Sequence, residues 1–196
     1  MGGFAGGDEG GYWDDPNAFI SSKHNDNNTN TANSSKPLIE IGDFGYTIQA
    51  HAKVKINGDT SYRCSKELYD TLQFIPCECK TFTIEDSENI PLESSTLYKA
   101  FNALIDFTHE TDVVDFFTTH KVVLTKRIPI SADFGGESSN AAAFIWLVKE
   151  ACNLILTIDE MAKIGSCIDD EVPFFIYNYP DSCYSRSNIS KTFFKQ

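Results

Sequence analysis

The sequence predicts a layered α+β domain behind a polar N-terminal tail. Three observations carry this. Residues 47–56 alternate apolar and polar with a period of two, two later stretches carry apolar residues at helical spacing, and strands and helices do not follow a regular βαβ order.

Residues 1–36 differ in composition from the rest. Gly-rich pieces (Gly2, Gly3, Gly6, Gly7, Gly10, Gly11) lead into a polar tract from Ser21 to Ser35. Such a segment buries too little apolar surface to offset its ordering entropy, so it is expected to be disordered. Tyr12, Trp13, Phe19 and Ile20 could form a docking motif within it, or be part of a solvated tail. Residues 37–196 form the expected domain.

The first strand is Thr47 to Ile56. Ile48, Ala50, Ala52, Val54 and Ile56 lie on one face and leave Lys53 and Lys55 on the other. Asn57-Gly58-Asp59 is a turn signal. Tyr69–Ile75 and Lys80–Glu85 read as strands, and Pro76–Cys79 between them suggests a hairpin. Leu97–Phe107 reads as a helix with caps available at Ser94 to Thr96. Lys121–Arg127 is a further strand, followed by a loop to Ser139 and a helix over Asn140–Leu154. Thr157-Ile158-Asp159-Glu160 is a capping box opening a short helix. Val172–Tyr177, a short apolar run, is expected to be a strand.

Bulk composition narrows the function. The net charge is −12 over 196 residues, and no basic cluster exceeds Lys126-Arg127. Nucleic-acid binding, which depends on phosphate contacts, is therefore not expected. No apolar run approaches the roughly 20 residues of a membrane span. No secretory signal is visible, so a cytoplasmic protein is expected. The six cysteines show neither redox nor zinc-finger CxxC spacing and are expected to be reduced thiols. His51 alternates with the apolar face of its strand and is expected at the surface.

The chemistry is concentrated in Pro129–Asn140, PISADFGGESSN. Paired glycines followed by Ser138 and Ser139 at the start of a helix are what an anion site requires. Glycine lets backbone approach a phosphate, the helix N-terminus supplies free N–H groups, and serine hydroxyls add donors or a magnesium ligand. The same composition also serves an ordinary turn with an N-cap.

Three segments in order resemble the GHMP kinases. AKVKI at Ala52–Ile56 is similar to the family's Ala-Lys-(Val/Ile)-Asn-(Leu/Ile). PISADFGGESSNAA at Pro129–Ala142 is similar to its phosphate loop. IDDEVPFF at Ile168–Phe175 is similar to its (Ile/Leu)-Gly-Ala-Asp-Val-Pro-(Phe/Val)-Phe. The resemblance covers about Ile48 to Tyr179. It implies the family's N-terminal domain, a two-layer fold like domain 2 of ribosomal protein S5. It also implies a kinase that moves the γ-phosphoryl of ATP, with Mg2+, to a hydroxyl of a small molecule. Mapped by position, Lys53 and Glu171 are the implied catalytic pair. Pro129, Ser131, Ala132, Gly135, Gly136, Ser138 and Ser139 are the implied nucleotide-binding residues. No metal ligand and no protein partner is assigned.

The chain also departs from the motifs. Lys55 stands in place of Asn, Glu171 in place of Asp, Asp169-Asp170 in place of Gly-Ala, and Asp133 and Glu137 in place of glycines. The family's Gly-Tyr-His element, which helps hold a cytidine, is reduced to Asn57–Cys64, with Tyr62-Arg63 as its remnant. The family continues with a second domain after the position of Tyr179, so the domain is expected to be incomplete. Two readings follow: an ATP-dependent kinase, or a fold-retaining pseudokinase or fragment with little or no turnover.

Overall fold

The computed structural model describes residues 36–56, 62–86, 90–109, 111–130 and 133–179. Within them a five-stranded sheet and five helices form an α+β domain. The expected disordered tail, apart from Lys36, and the Asn57-Gly58-Asp59 turn lie outside the described residues.

The strands are β1 (Glu40–Gly42), β2 (Gly45–Lys55), β3 (Tyr62–Pro76), β4 (Ile84–Asp86) and β5 (His120–Thr125), in the spatial order β1-β2-β3-β5-β4. All neighbours are antiparallel except β4 and β5. The expected hairpin between Tyr69–Ile75 and Lys80–Glu85 does not form. β3 runs on to Pro76, and the chain then crosses to pair β4 with β5 on that strand's far side. Apolar composition marks strands but does not choose their neighbours. Cys77 and Cys79 are joined as a disulfide, against the expectation of six reduced thiols.

Register places one face of the sheet in the core. Ile48, Leu72 and Leu124 lie side by side across β2, β3 and β5, and Phe74 lies beside Val122. All five are buried. Phe74 meets Phe117 and Phe144 edge-on, with centroids 5.1 and 5.6 Å apart, a favoured geometry for aromatic pairs.

The helices are α1 (Thr96–Thr108), α2 (Thr111–Thr119), α3 (Gly136–Ala151), α4 (Ile158–Ser166) and α5 (Val172–Tyr177). Ser95 caps α1 by accepting from the Leu97 N–H at 3.3 Å. The helix α2 was not anticipated. α3 begins at Gly136, four residues earlier than expected, so Ser138 and Ser139 lie inside its first turn. It is buried from Ser138 through Val148, as suits a helix covered on every side. Val172–Tyr177 is a helix, not a strand. Its six apolar residues fit either state by periodicity, and Pro173 suits a helix's first turn but removes a sheet donor.

The capping box at α4 is present in both directions. The Glu160 N–H donates to Thr157 Oγ1 at 3.2 Å, and the Thr157 N–H donates to Glu160 Oε2 at 2.8 Å. Thr157→Ala is expected to destabilise the domain by about 1 kcal/mol. The urea midpoint measures it, and an unchanged midpoint would remove the cap from the stability of α4.

Candidate functional site

The site is assembled where the β2–β3 ladder breaks. Register shifts between His51 and Lys53, and the β2 backbone there bonds to the loop before α3. The Lys53 N–H donates to the Phe134 carbonyl at 2.8 Å, and the Ser139 hydroxyl donates to the His51 carbonyl at 2.7 Å. The loop and the first turn of α3 are thus pinned to the strand that carries Lys53. His51 is buried rather than at the surface, donating from Nδ1 to the Ser65 carbonyl at 2.7 Å. Its ring packs against those of Tyr69 and Tyr179.

Lys53 and Glu171 meet. Lys53 Nζ lies 2.5 Å from Glu171 Oε1 and 3.3 Å from Asp133 Oδ1. The Lys53 side chain is 9% exposed and that of Asp133 is 73% exposed. Burial pulls the lysine pKa down, but the hydrogen bonds and charges of Glu171 and then Asp133 outweigh it, and the net shift is upward. Tyr62 joins the site with its ring centroid 5.2 Å from Lys53 Nζ and 5.9 Å from Lys55 Nζ. Both lysines therefore face one ring, as their alternation in the strand implies.

Glu171 is held from behind. Its N–H donates to Asp169 Oδ1 at 2.9 Å, and the same oxygen accepts the Ser138 hydroxyl at 3.0 Å. Asp169 therefore ties the turn before α5 to the first turn of α3. Gly135 adopts φ +63°, and a Cβ there would come within 2.8 Å of the Phe175 ring and 3.1 Å of Glu171 Oε2. Only glycine accepts both constraints without strain.

The first-turn N–H groups of Gly136, Glu137 and Ser138 precede any helical carbonyl partner, and the N-cap, Gly135, provides no side-chain cap. This is an anion-accepting end. Glu137 turns to the side. It accepts the Thr96 hydroxyl at 2.8 Å and lies 3.4 Å from Lys126 Nζ. Lys126 also binds the buried Asp70 at 2.8 Å. The upward pKa shift of Lys126 likewise survives desolvation because Asp70, and then Glu137, stabilise its charge.

Among the implied site residues, Lys53, Glu171, Gly135, Gly136, Ser138 and Ser139 converge. Pro129 sits in the loop leading to them, and Ser131 and Ala132 lie outside the described residues. Sequence reasoning passes over Asp70, Thr96 and Lys126 as contributors, whereas Tyr62 is named there as a remnant of the family's cytidine-holding element and Asp169 as a departure from its third motif. Asp70 had a legible signal, being a carboxylate amid β-forming residues on the face of Leu72 and Phe74. Thr96 and Lys126 had none.

Comparison with known proteins fits this geometry. Residues 95–179 match the family GHMP kinases N terminal domain. The fold also occurs in mevalonate kinase from Methanococcus jannaschii, with a TM-score of 0.55 at 17% identity, over 68% of this chain and 51% of that one. The chain carries the N-terminal domain of the GHMP kinases. Within that family it is similar to 4-diphosphocytidyl-2-C-methyl-D-erythritol kinase. The enzyme so named from Sulfurovum sp. (strain NBC37-1) is 40% identical over 149 residues, 70% of this chain and 58% of that protein. Its counterpart from Sulfurimonas denitrificans (strain ATCC 33889 / DSM 1251) is 40% identical over 116 residues, 57% of this chain and 44% of that protein. The chain spans about half the length of the curated relatives it matches. Among the described residues, no helix is long and apolar enough to cross a membrane.

Lys53 and Lys126 bind protons more tightly when folded. Their contribution to stability is fully present below the ordinary lysine pKa of about 10.4 and is lost as pH rises through the folded values. Denaturant midpoints are therefore expected to fall above about pH 10, and less steeply in Lys53→Met. Equal slopes in the two proteins would show that the Lys53 ion pair does not stabilise the fold.

Proposed function

We propose that this domain performs phosphoryl transfer from ATP to a hydroxyl of 4-CDP-2-C-methyl-D-erythritol, a step of non-mevalonate isoprenoid biosynthesis. One observation carries the reading. A buried lysine and a carboxylate are paired at 2.5 Å, on elements pinned to the uncapped N-terminus of a 16-residue helix.

In this reading Glu171 takes the proton of the acceptor hydroxyl. Lys53 pairs with that carboxylate beforehand and stabilises the negative charge that develops on the hydroxyl oxygen. The Gly136, Glu137 and Ser138 N–H groups receive phosphate oxygens. ATP, when bound, supplies the phosphoryl group. Mg2+ would arrive with the nucleotide, since that ion is usually held by few carboxylates together with phosphates. Ser138 and Asp169 offer oxygens beside the helix end. Glu171 is one methylene longer than the family's aspartate, yet it reaches Lys53.

The residues fit a phosphate by backbone and oppose it by charge. Asp133 and Glu137 stand where the family has glycine, and each engages a site lysine. A carboxylate at about 4 Å from a phosphate costs on the order of 1–4 kcal/mol, depending on effective dielectric. This specific feature favours the second reading, a domain that keeps the fold with impaired or absent turnover.

Titration calorimetry with Mg-ATP separates the two. Micromolar binding by the unaltered chain is the expected result for a kinase. Absence of binding there, with recovery in Asp133→Gly, Glu137→Gly, would establish that the two carboxylates close the site. Where turnover is detected, Lys53→Ala is expected to abolish it, and unchanged turnover would remove Lys53 from the chemistry.

A further inference from the structure

Asp70 is a carboxylate on the core face of the central strand. Phe74, Leu72 and Asp70 alternate along β3, and Asp70 pairs across the sheet with Ala50. Its side chain is completely buried. The proposed transfer chemistry assigns it no role, and its oxygens engage residues 126–128. Lys126 Nζ donates to Oδ2 at 2.8 Å, while the Arg127 and Ile128 N–H groups donate to Oδ1 at 2.6 and 2.8 Å.

Those two N–H groups explain why a carboxylate is required. They follow the end of β5 and leave its ladder with β3, so an apolar residue at position 70 would orphan both. The contacts then continue. Lys126 is shared with Glu137 in the first turn of α3, and Glu137 accepts from Thr96. A polar chain therefore runs from β3, through the start of the loop, to its far end.

We infer that Asp70 is the positioning residue that links residues 126–128, after β5, to the first turn of α3. It sets the separation of these two segments and thereby the aim of the α3 N-terminus. What that end receives rests on the phosphoryl-transfer reading above, whereas the geometric coupling does not.

The test uses the full chain carrying Asp70→Asn, Lys126→Met. A single Asp70→Asn would strand the buried Lys126 charge and endanger folding. The double substitution keeps one oxygen for the Arg127 and Ile128 N–H groups, removes both buried charges and cuts the link to Glu137. Amide hydrogen exchange is read at Lys53 and Ser139, whose N–H groups bond to the Phe134 and Gly135 carbonyls. Exchange there is expected to accelerate about tenfold, while Leu72 and Leu124 in the sheet stay protected; a factor of ten corresponds to about 1.4 kcal/mol. Mg-ATP binding is expected to weaken by roughly the same factor. Unchanged exchange at Lys53 and Ser139, or equal acceleration throughout the sheet, overturns the inference. If the unaltered chain fails to bind Mg-ATP, the kinase reading falls and the exchange data alone decide the role of Asp70.

Discussion

A helix buried along its length must settle its N-terminal end inside the protein, and the rest of this domain is arranged around that demand. α3 is covered from Ser138 to Val148, and its first two residues, Gly136 and Glu137, are half-buried. The domain meets this from three directions. β2 offers a backbone carbonyl to Ser139, Asp169 accepts from Ser138, and the loop carbonyl of Phe134 takes the Lys53 N–H. What remains are first-turn donors without helical partners, beside a buried lysine.

The charges around that end are not equivalent. Lys126 and Asp70 are both nearly or wholly removed from solvent, and removing one partner of such a pair costs about 3–5 kcal/mol. Asp133 lies mostly in water, where an ion pair contributes only about 0–1 kcal/mol. The Lys126 contact is therefore the costlier one to break, and the Asp133 contact the weaker. Of the two carboxylates that replace glycines, Asp133 is the more easily displaced by a competing anion. Glu137 is the more firmly engaged, because Thr96 and Lys126 both hold it.

Much of the fold was legible. Period-two alternation located β2, helical spacing located α1 and α3, and Thr157 and Glu160 marked the start of α4. The misread segments share one cause. Val172–Tyr177 and Lys80–Glu85 are short and apolar or β-branched, so local pattern cannot decide their state or pairing partner. Tertiary packing put the first into a helix against α3 and α4, and sent the chain at the second across β5.

Residue types at fixed spacing by themselves determined the family and the chemical elements of the site: a lysine in a strand, a glycine pair before a helix, and an acidic residue before Val172-Pro173. These are local properties of the chain, and such properties survive being read one residue at a time. Only the tertiary structure decided that Lys53 meets Glu171 at 2.5 Å, that Glu137 leans toward Lys126, and that Asp70 ties β3 to the loop. Those pairs are separated by 118, 11 and 56 positions. Their geometry depends on sheet register and helix docking, which arise from packing of the whole core rather than from any single segment.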